Sequence, residues 1–259
     1  STLLVGLLDK IGTLGMIRIC LGLFPQASQW ATPFVLVLAV ISVLWGATMA
    51  VTSKDLMRLV SYTSVSHFGF MIIGIFAVTT TSLTGSIFYM FNHGFSTAAL
   101  FLVLGFLVKR RGSAQVDAFG GVQKTAPVLA GMFLFAGLAT MSLPGISNFI
   151  GEFMVLAGAW SRHPVYVAVA TLGMVLGAVY ILLTYKRTMT GPLTQATKEH
   201  VTTDLTGLEK AALTPLVILL LVFGFFPRPM LHVIEPVAHQ TMSIVGVTDP
   251  APAAEEGVK

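Results

Sequence analysis

Charge is what this chain has least of. Asp, Glu, Lys and Arg together make up 10% of its 259 residues, against 55% apolar residues; an ordinary soluble domain carries about 25% charged residues. The mean hydropathy of +0.85 points the same way, to an integral membrane protein. Cysteine is nearly absent too. Cys20 stands alone, which excludes an internal disulfide or a cysteine-held cluster and leaves its thiol a packing role. The sequence has no glycine-rich nucleotide fingerprint, no phosphate loop, no Cys or His cluster at metal-ligand spacing and no nucleophile beside a base. No cofactor and no redox centre is therefore expected, and any energy the chain converts must come from elsewhere. The formal charge of +4 does not imply nucleic acid, because the basic residues fall in short loops between apolar runs. Ser1 leads straight into Thr2-Leu3-Leu4-Val5-Gly6 without a basic leader or a cleavage site, and the sequence reads as one that starts midway through a longer protein.

What is there is long apolar runs. A span needs about 20 mostly apolar residues to cross a hydrocarbon core of about 30 Å. The runs are continuous rather than alternating, so helices are expected and a barrel is not. Seven transmembrane helices are predicted, over residues 3–24, 32–51, 56–78, 83–108, 127–160, 165–185 and 208–226. Between them stand turn and polar signals such as Phe24-Pro25-Gln26, Thr52-Ser53-Lys54-Asp55, Lys109-Arg110-Arg111-Gly112 and Arg162-His163-Pro164. The reading divides the chain into a transmembrane domain over 1–226, an interfacial amphipathic segment over 227–245 and a disordered tail over 246–259.

Seven spans put the two ends of the chain on opposite sides. Lys54, Arg58, Lys109, Arg110, Arg111, Lys124, Lys186, Arg187, Lys198 and Lys210 then collect on one side, and only Arg18, Arg162, Arg228 and Lys259 on the other. By the positive-inside rule the chain start faces the cytoplasm and the C-terminus the periplasm or outside.

The fifth span is too long. One helix over 127–160 would run roughly 34 residues and about 51 Å. Leu143-Pro144-Gly145 is the natural interruption, since proline lacks a backbone donor and glycine tolerates the conformation that follows. Interrupted helices at membrane depth commonly line ion sites. Ser147 is placed to cap the second half, with Glu152 about one turn in, near the positive end of that half-helix.

Glu152, Lys10, His67 and His93 are the ionisable residues that apolar runs enclose. A charge at the centre of a membrane helix costs roughly 3 kcal/mol on insertion scales, and such groups usually mark proton or ion routes. Each also has a plainer reading. Lys10 can snorkel to the interface with Asp9 beside it. His67, closing the run Ser61-Tyr62-Thr63-Ser64-Val65-Ser66-His67, and His93, in Asn92-His93-Gly94, can be hydrogen-bonded core histidines. Glu152 can lie in a loop or hold helices together as half of an ion pair. Against this, histidine is the side chain that titrates nearest neutrality, so two of them among hydroxyls suit a proton relay.

Gly6-Leu7-Leu8-Asp9-Lys10-Ile11-Gly12, the run from Arg58 through His67-Phe68-Gly69, Asn92-His93-Gly94, and Leu143-Pro144-Gly145 through Gly151-Glu152-Phe153 resemble the antiporter-like membrane subunits of respiratory complex I. The resemblance extends over 3–229 and is nearest to the subunit M branch of bacterial NADH-quinone oxidoreductase. It implies an all-α integral membrane fold of about fourteen helices, with this chain as the eighth to the fourteenth. Carried over residue by residue, it implies that Lys10 is the lysine of the eighth helix, that His67 and His93 are relay histidines, and that Glu152 is the ionisable group of the interrupted twelfth helix. In sister subunits L and N that last position is typically lysine, so the glutamate favours M. The implied partners are the adjacent antiporter-like subunits L and N and the lipid bilayer, in a bacterial inner membrane. The family's glutamate of the fifth helix and lysine of the seventh fall upstream of Ser1. Asp9, where the resemblance leads one to expect an apolar residue, is a candidate modulator of Lys10. Two rivals stay open: a subunit of a multisubunit sodium/proton antiporter, and a membrane scaffold whose buried charges serve packing alone.

Overall fold

The computed structural model describes Gly6 and residues 8–249, and among the described residues it is helical, with a lone antiparallel bridge between Asp55 and Gln115 as the one extended pairing. These residues form ten α-helices in order: α1 (Lys10–Gly15), α2 (Pro25–Thr52), α3 (Leu56–Phe76), α4 (Thr80–Arg111), α5 (Pro127–Thr140), α6 (Ser147–Trp160), α7 (Pro164–Met189), α8 (Gln195–His200), α9 (Gly207–Phe225) and α10 (Arg228–Val245). Five of them, α2, α3, α4, α7 and α9, are each long and apolar enough to cross a bilayer. The expected first span, 3–24, begins outside the described residues; its described part is α1 continued by a π-helical turn, Met16–Leu21. The Ser28 hydroxyl donates to the Cys20 carbonyl of that turn at 2.7 Å.

Local chemistry sets the helix ends. Asp55 caps α3 by accepting from the backbone N–H groups of Met57 and Arg58, and Thr79 caps α4 by accepting from that of Ser82. Gly112, at φ 73°, ends α4 in the left-handed conformation. Thr206 and Glu209 form a capping box at the start of α9. The expected second span began at 32, but Pro25 occupies the first turn of α2, where its missing N–H costs nothing, so the helix starts two turns earlier.

Hydrogen bonds tie the loops into two ends of the bundle. At one end Asp55 meets Gln115, Arg110 meets Thr203, Asp204 and Glu209, and Gly121 bonds Thr190. At the other, Gln29 donates to the Val245 carbonyl, Arg162 to that of Thr248, and Asp249 accepts from the Thr80 N–H. α10 is amphipathic and packs Ile234, Ala238, Thr241, Met242 and Val245 inward at this second end. Of the tail expected to be disordered, 246–249 carry these bonds, and 250–259 lie outside the described residues.

Close backbone approach replaces bulk at the helix contacts, as expected where lipid removes the hydrophobic drive between helices. A β-carbon on Gly46 would stand 2.6 Å from the Ser66 nitrogen, and one on Gly69 equally close to the Ala39 carbonyl, so α2 and α3 pack almost backbone to backbone. The outer face of α2 is the reverse: Trp30, Phe34, Leu38 and Trp45 all stand exposed. Among the described residues two large apolar cores, one holding Leu56, Leu104, Phe133 and Tyr180, the other Leu36, Phe70, Tyr89 and Val155, are accompanied by a small third of Ala139, Ile146 and Leu220.

Candidate functional site: a buried chain of ionisable and phenolic side chains

The helix break is wider than Pro144-Gly145. α5 stops at Thr140 and α6 starts at Ser147, leaving Met141 to Ile146 irregular, with Ser142 at φ 57° and Gly145 at φ 94°. Irregular backbone at membrane depth must be satisfied inside protein. Here the N–H groups of Met141, Ser142, Leu143 and Ile146 find the carbonyls of Gly137, Ala139, Leu138 and Leu143. α9 closes over the break at Gly224, where any β-carbon would collide with the Gly145 carbonyl. Ser147 is not the cap expected of it: extended Ile146 takes the capping position, which puts Ser147 in the first turn with its hydroxyl unpartnered among the described residues. Glu152 is consequently the sixth residue of α6, beyond the first turn where the helix dipole acts.

Glu152 points inward and is 2% exposed. Its Oε2 lies 3.5 Å from the Tyr89 hydroxyl, at the outer limit of a hydrogen bond. The same hydroxyl is hydrogen-bonded to His67 Nδ1. On the far side of the imidazole, the Tyr180 hydroxyl stands 3.5 Å from Nε2. His67 is thus held between a phenol from each large apolar core. Its ring centroid is 5.1 Å from that of His93, whose Nε2 meets the Thr97 hydroxyl at 3.1 Å and whose Nδ1 has no partner among the described residues. His67 is about 16 Å along α3 and His93 about 20 Å along α4, so both sit at mid-bundle depth.

Lys10 completes the row from α1. Its ammonium lies 5.3 Å over the Phe68 ring, and Phe68 in turn meets His93 edge-on at 5.9 Å. Lys10 also lines an apolar cleft of about 570 Å³ between α1, α4 and α10, with Gly94 and Phe95 opposite. It is partly exposed there and close enough to act electrostatically on both imidazoles and on Asp9. Asp9, also partly exposed, sits at the N-cap of α1 and makes no capping bond.

The fold therefore brings His67, His93 and Glu152 together at full burial, with Lys10 at the edge and Asp9 beside it. Tyr89 and Tyr180 are the members that sequence reading did not single out; the signal for Tyr89 is its spacing of four from His93 on one helix face. Much of the hydroxyl-rich run before His67 has a humbler use. Ser61 and Thr63 donate to carbonyls of their own helix, and Ser66 to the Val43 carbonyl of α2. A second polar group lies by the break, where Asn148 donates to the Ser96 hydroxyl at 2.8 Å. Among the described residues no cluster of three His, Cys, Asp or Glu side chains could hold a metal ion.

A helical membrane bundle with ionisable side chains threaded through its interior is the class of protein that these features define. The chain belongs to the NADH:quinone oxidoreductase/Mrp antiporter transmembrane family, whose model matches residues 1–177. It is 48% identical over 258 residues to NADH-quinone oxidoreductase subunit M of Mycobacterium tuberculosis, covering 100% of this chain and 46% of that protein. The chain thus spans about half the length of the curated relatives it matches. Among solved structures, a chain of respiratory complex I from Thermus thermophilus with bound NADH superposes with a TM-score of 0.84 at 31% identity, over 93% of this chain and 50% of that one. A chain of the Mrp complex from Dietzia sp. shares the fold, with a TM-score of 0.81 at 21% identity over 94% and 54%.

Proposed function

We propose that this chain is the C-terminal half of subunit M of a bacterial NADH-quinone oxidoreductase and moves protons through Lys10, His67, His93 and Glu152. Lys10 loads the row, His93 and His67 pass the proton across the bundle, and Glu152 releases it towards the periplasm. Quinone reduction in partner subunits supplies the energy, and subunits L and N are the lateral neighbours. Seven spans, with α5 and α6 together as the fifth, put the basic loop end in the cytoplasm by the positive-inside rule.

The observation that carries this reading is the unbroken contact from His93 through His67 and Tyr89 to Glu152, which joins three helices without reaching solvent. Ionisable groups this close couple their protonation, as stepwise transfer requires. The 48% identity to a subunit M supports the same assignment.

The sodium/proton antiporter reading is favoured by the shared family and by the Dietzia fold match alone. Deleting the gene and measuring both phenotypes separates the two. Loss of NADH-linked proton pumping with sodium tolerance intact supports the proposal; loss of sodium tolerance with NADH oxidation intact overturns it.

A further inference from the structure

We propose that Tyr89 is the relay residue that carries the proton from His67 to Glu152, an inference that rests on the proton-pathway reading above. His67 and Glu152 sit on different helices, α3 and α6, and the Tyr89 hydroxyl from α4 contacts both. The phenol is fully buried, so bulk water does not stand in for it. Its position is fixed from behind: a β-carbon on Gly151, next to Glu152, would stand 2.7 Å from the Tyr89 Cβ and 2.8 Å from its Cα. The chain has left that space to backbone, and α6 presents Glu152 to the phenol beside a close backbone approach of the two helices.

The transfer balances without a co-reactant. The imidazolium of His67 gives its Nδ1 proton to the Tyr89 oxygen while the phenol's own proton passes to Oε2 of the Glu152 carboxylate. One N–H and one O–H bond break, and two O–H bonds form. His67 is left neutral with its remaining proton on Nε2, facing the Tyr180 oxygen. Once Glu152 has released its proton, rotation of the phenolic O–H from His67 back towards Glu152 resets the relay. A tyrosine suits this place because its hydroxyl donates and accepts at once and stays protonated between transfers.

The test uses the full-length subunit in the assembled complex, reconstituted in liposomes, with protons moved per NADH measured beside NADH:quinone turnover. Tyr89→Phe keeps the ring and removes the hydroxyl. It is expected to lower protons per NADH to the level of a Glu152→Gln complex. Wild-type pumping in Tyr89→Phe beside a deficient Glu152→Gln overturns the relay and leaves the pathway; wild-type pumping in both overturns the pathway as well. Site-specific 3-fluorotyrosine at position 89 keeps the shape, makes the phenol more acidic, and serves also where Tyr89→Phe does not assemble. A relay shifts the pH profile of pumping in that complex, whereas an unmoved profile reduces Tyr89 to packing and overturns the proposal.

Discussion

Gly151 lies against the backbone of Tyr89, with no room for a β-carbon between them. With Gly85 against Met154 and Gly158 against Ser82, it is one of three glycine contacts that hold α4 and α6 close, and it is the one beside the reach from the Tyr89 hydroxyl to Glu152. Gly151→Ala is expected to push the helices apart at a cost of about 1–3 kcal/mol, as for overpacking elsewhere. Thermal unfolding of the purified complex should fall, and protons per NADH should fall with it. A variant that keeps both at wild type would mean that the interface gives way elsewhere.

His67 touches Tyr89 on one nitrogen and Tyr180 on the other, while the His93 ring, among the described residues, bonds Thr97 alone. Because the two stand in series on the proposed route, His67→Ala and His93→Ala are each expected to lower protons per NADH at equal assembly. Pumping rates of the two reconstituted variants decide it, and a wild-type rate in either would take that histidine off the route.

Arg110 clamps the basic end of the bundle. Its guanidinium bonds Glu209 at 2.9 and 2.6 Å and also reaches the carbonyls of Thr203 and Asp204. The pair is mostly but not fully buried, at 10% and 15% exposure, so removing one partner should cost about 1–3 kcal/mol, below the figure for a fully buried pair. Arg110→Lys loses the fork and should recover only part of it. Both variants should lower the unfolding temperature and leave protons per NADH unchanged in the complexes that assemble.

Gly145 holds φ 94° at the helix break. An L side chain there is strained by about 1–2 kcal/mol, and Gly145→Ala should destabilise the subunit by that order. Limited proteolysis of the variant and parent complexes would read the difference.

The long helices were legible because their apolar runs exceed what a bilayer needs, and their ends to within a few residues because turn signals such as Thr52-Ser53-Lys54-Asp55 and Lys109-Arg110-Arg111-Gly112 separate them. The start of α2 was misplaced because Pro25, read as a break, is equally at home in a first helical turn. The extent of the break was hidden, since nothing in a serine announces the left-handed conformation of Ser142. Of the site, the residues that stood out were those whose charge is expensive in lipid. Tyr89 and Tyr180 did not stand out, because an aromatic ring in an apolar run looks like packing until its hydroxyl is seen to have a partner.

The central claim is that the buried carboxyl of Glu152 lies on the proton route, and protons moved per NADH by a Glu152→Gln complex in sealed liposomes test it most directly. The substitution keeps the shape, replaces one carboxyl oxygen by an amide nitrogen, and removes the titratable acid. Depressed pumping in a fully assembled complex is the predicted result; a wild-type ratio of protons to NADH would take Glu152 off the path and leave its burial to packing.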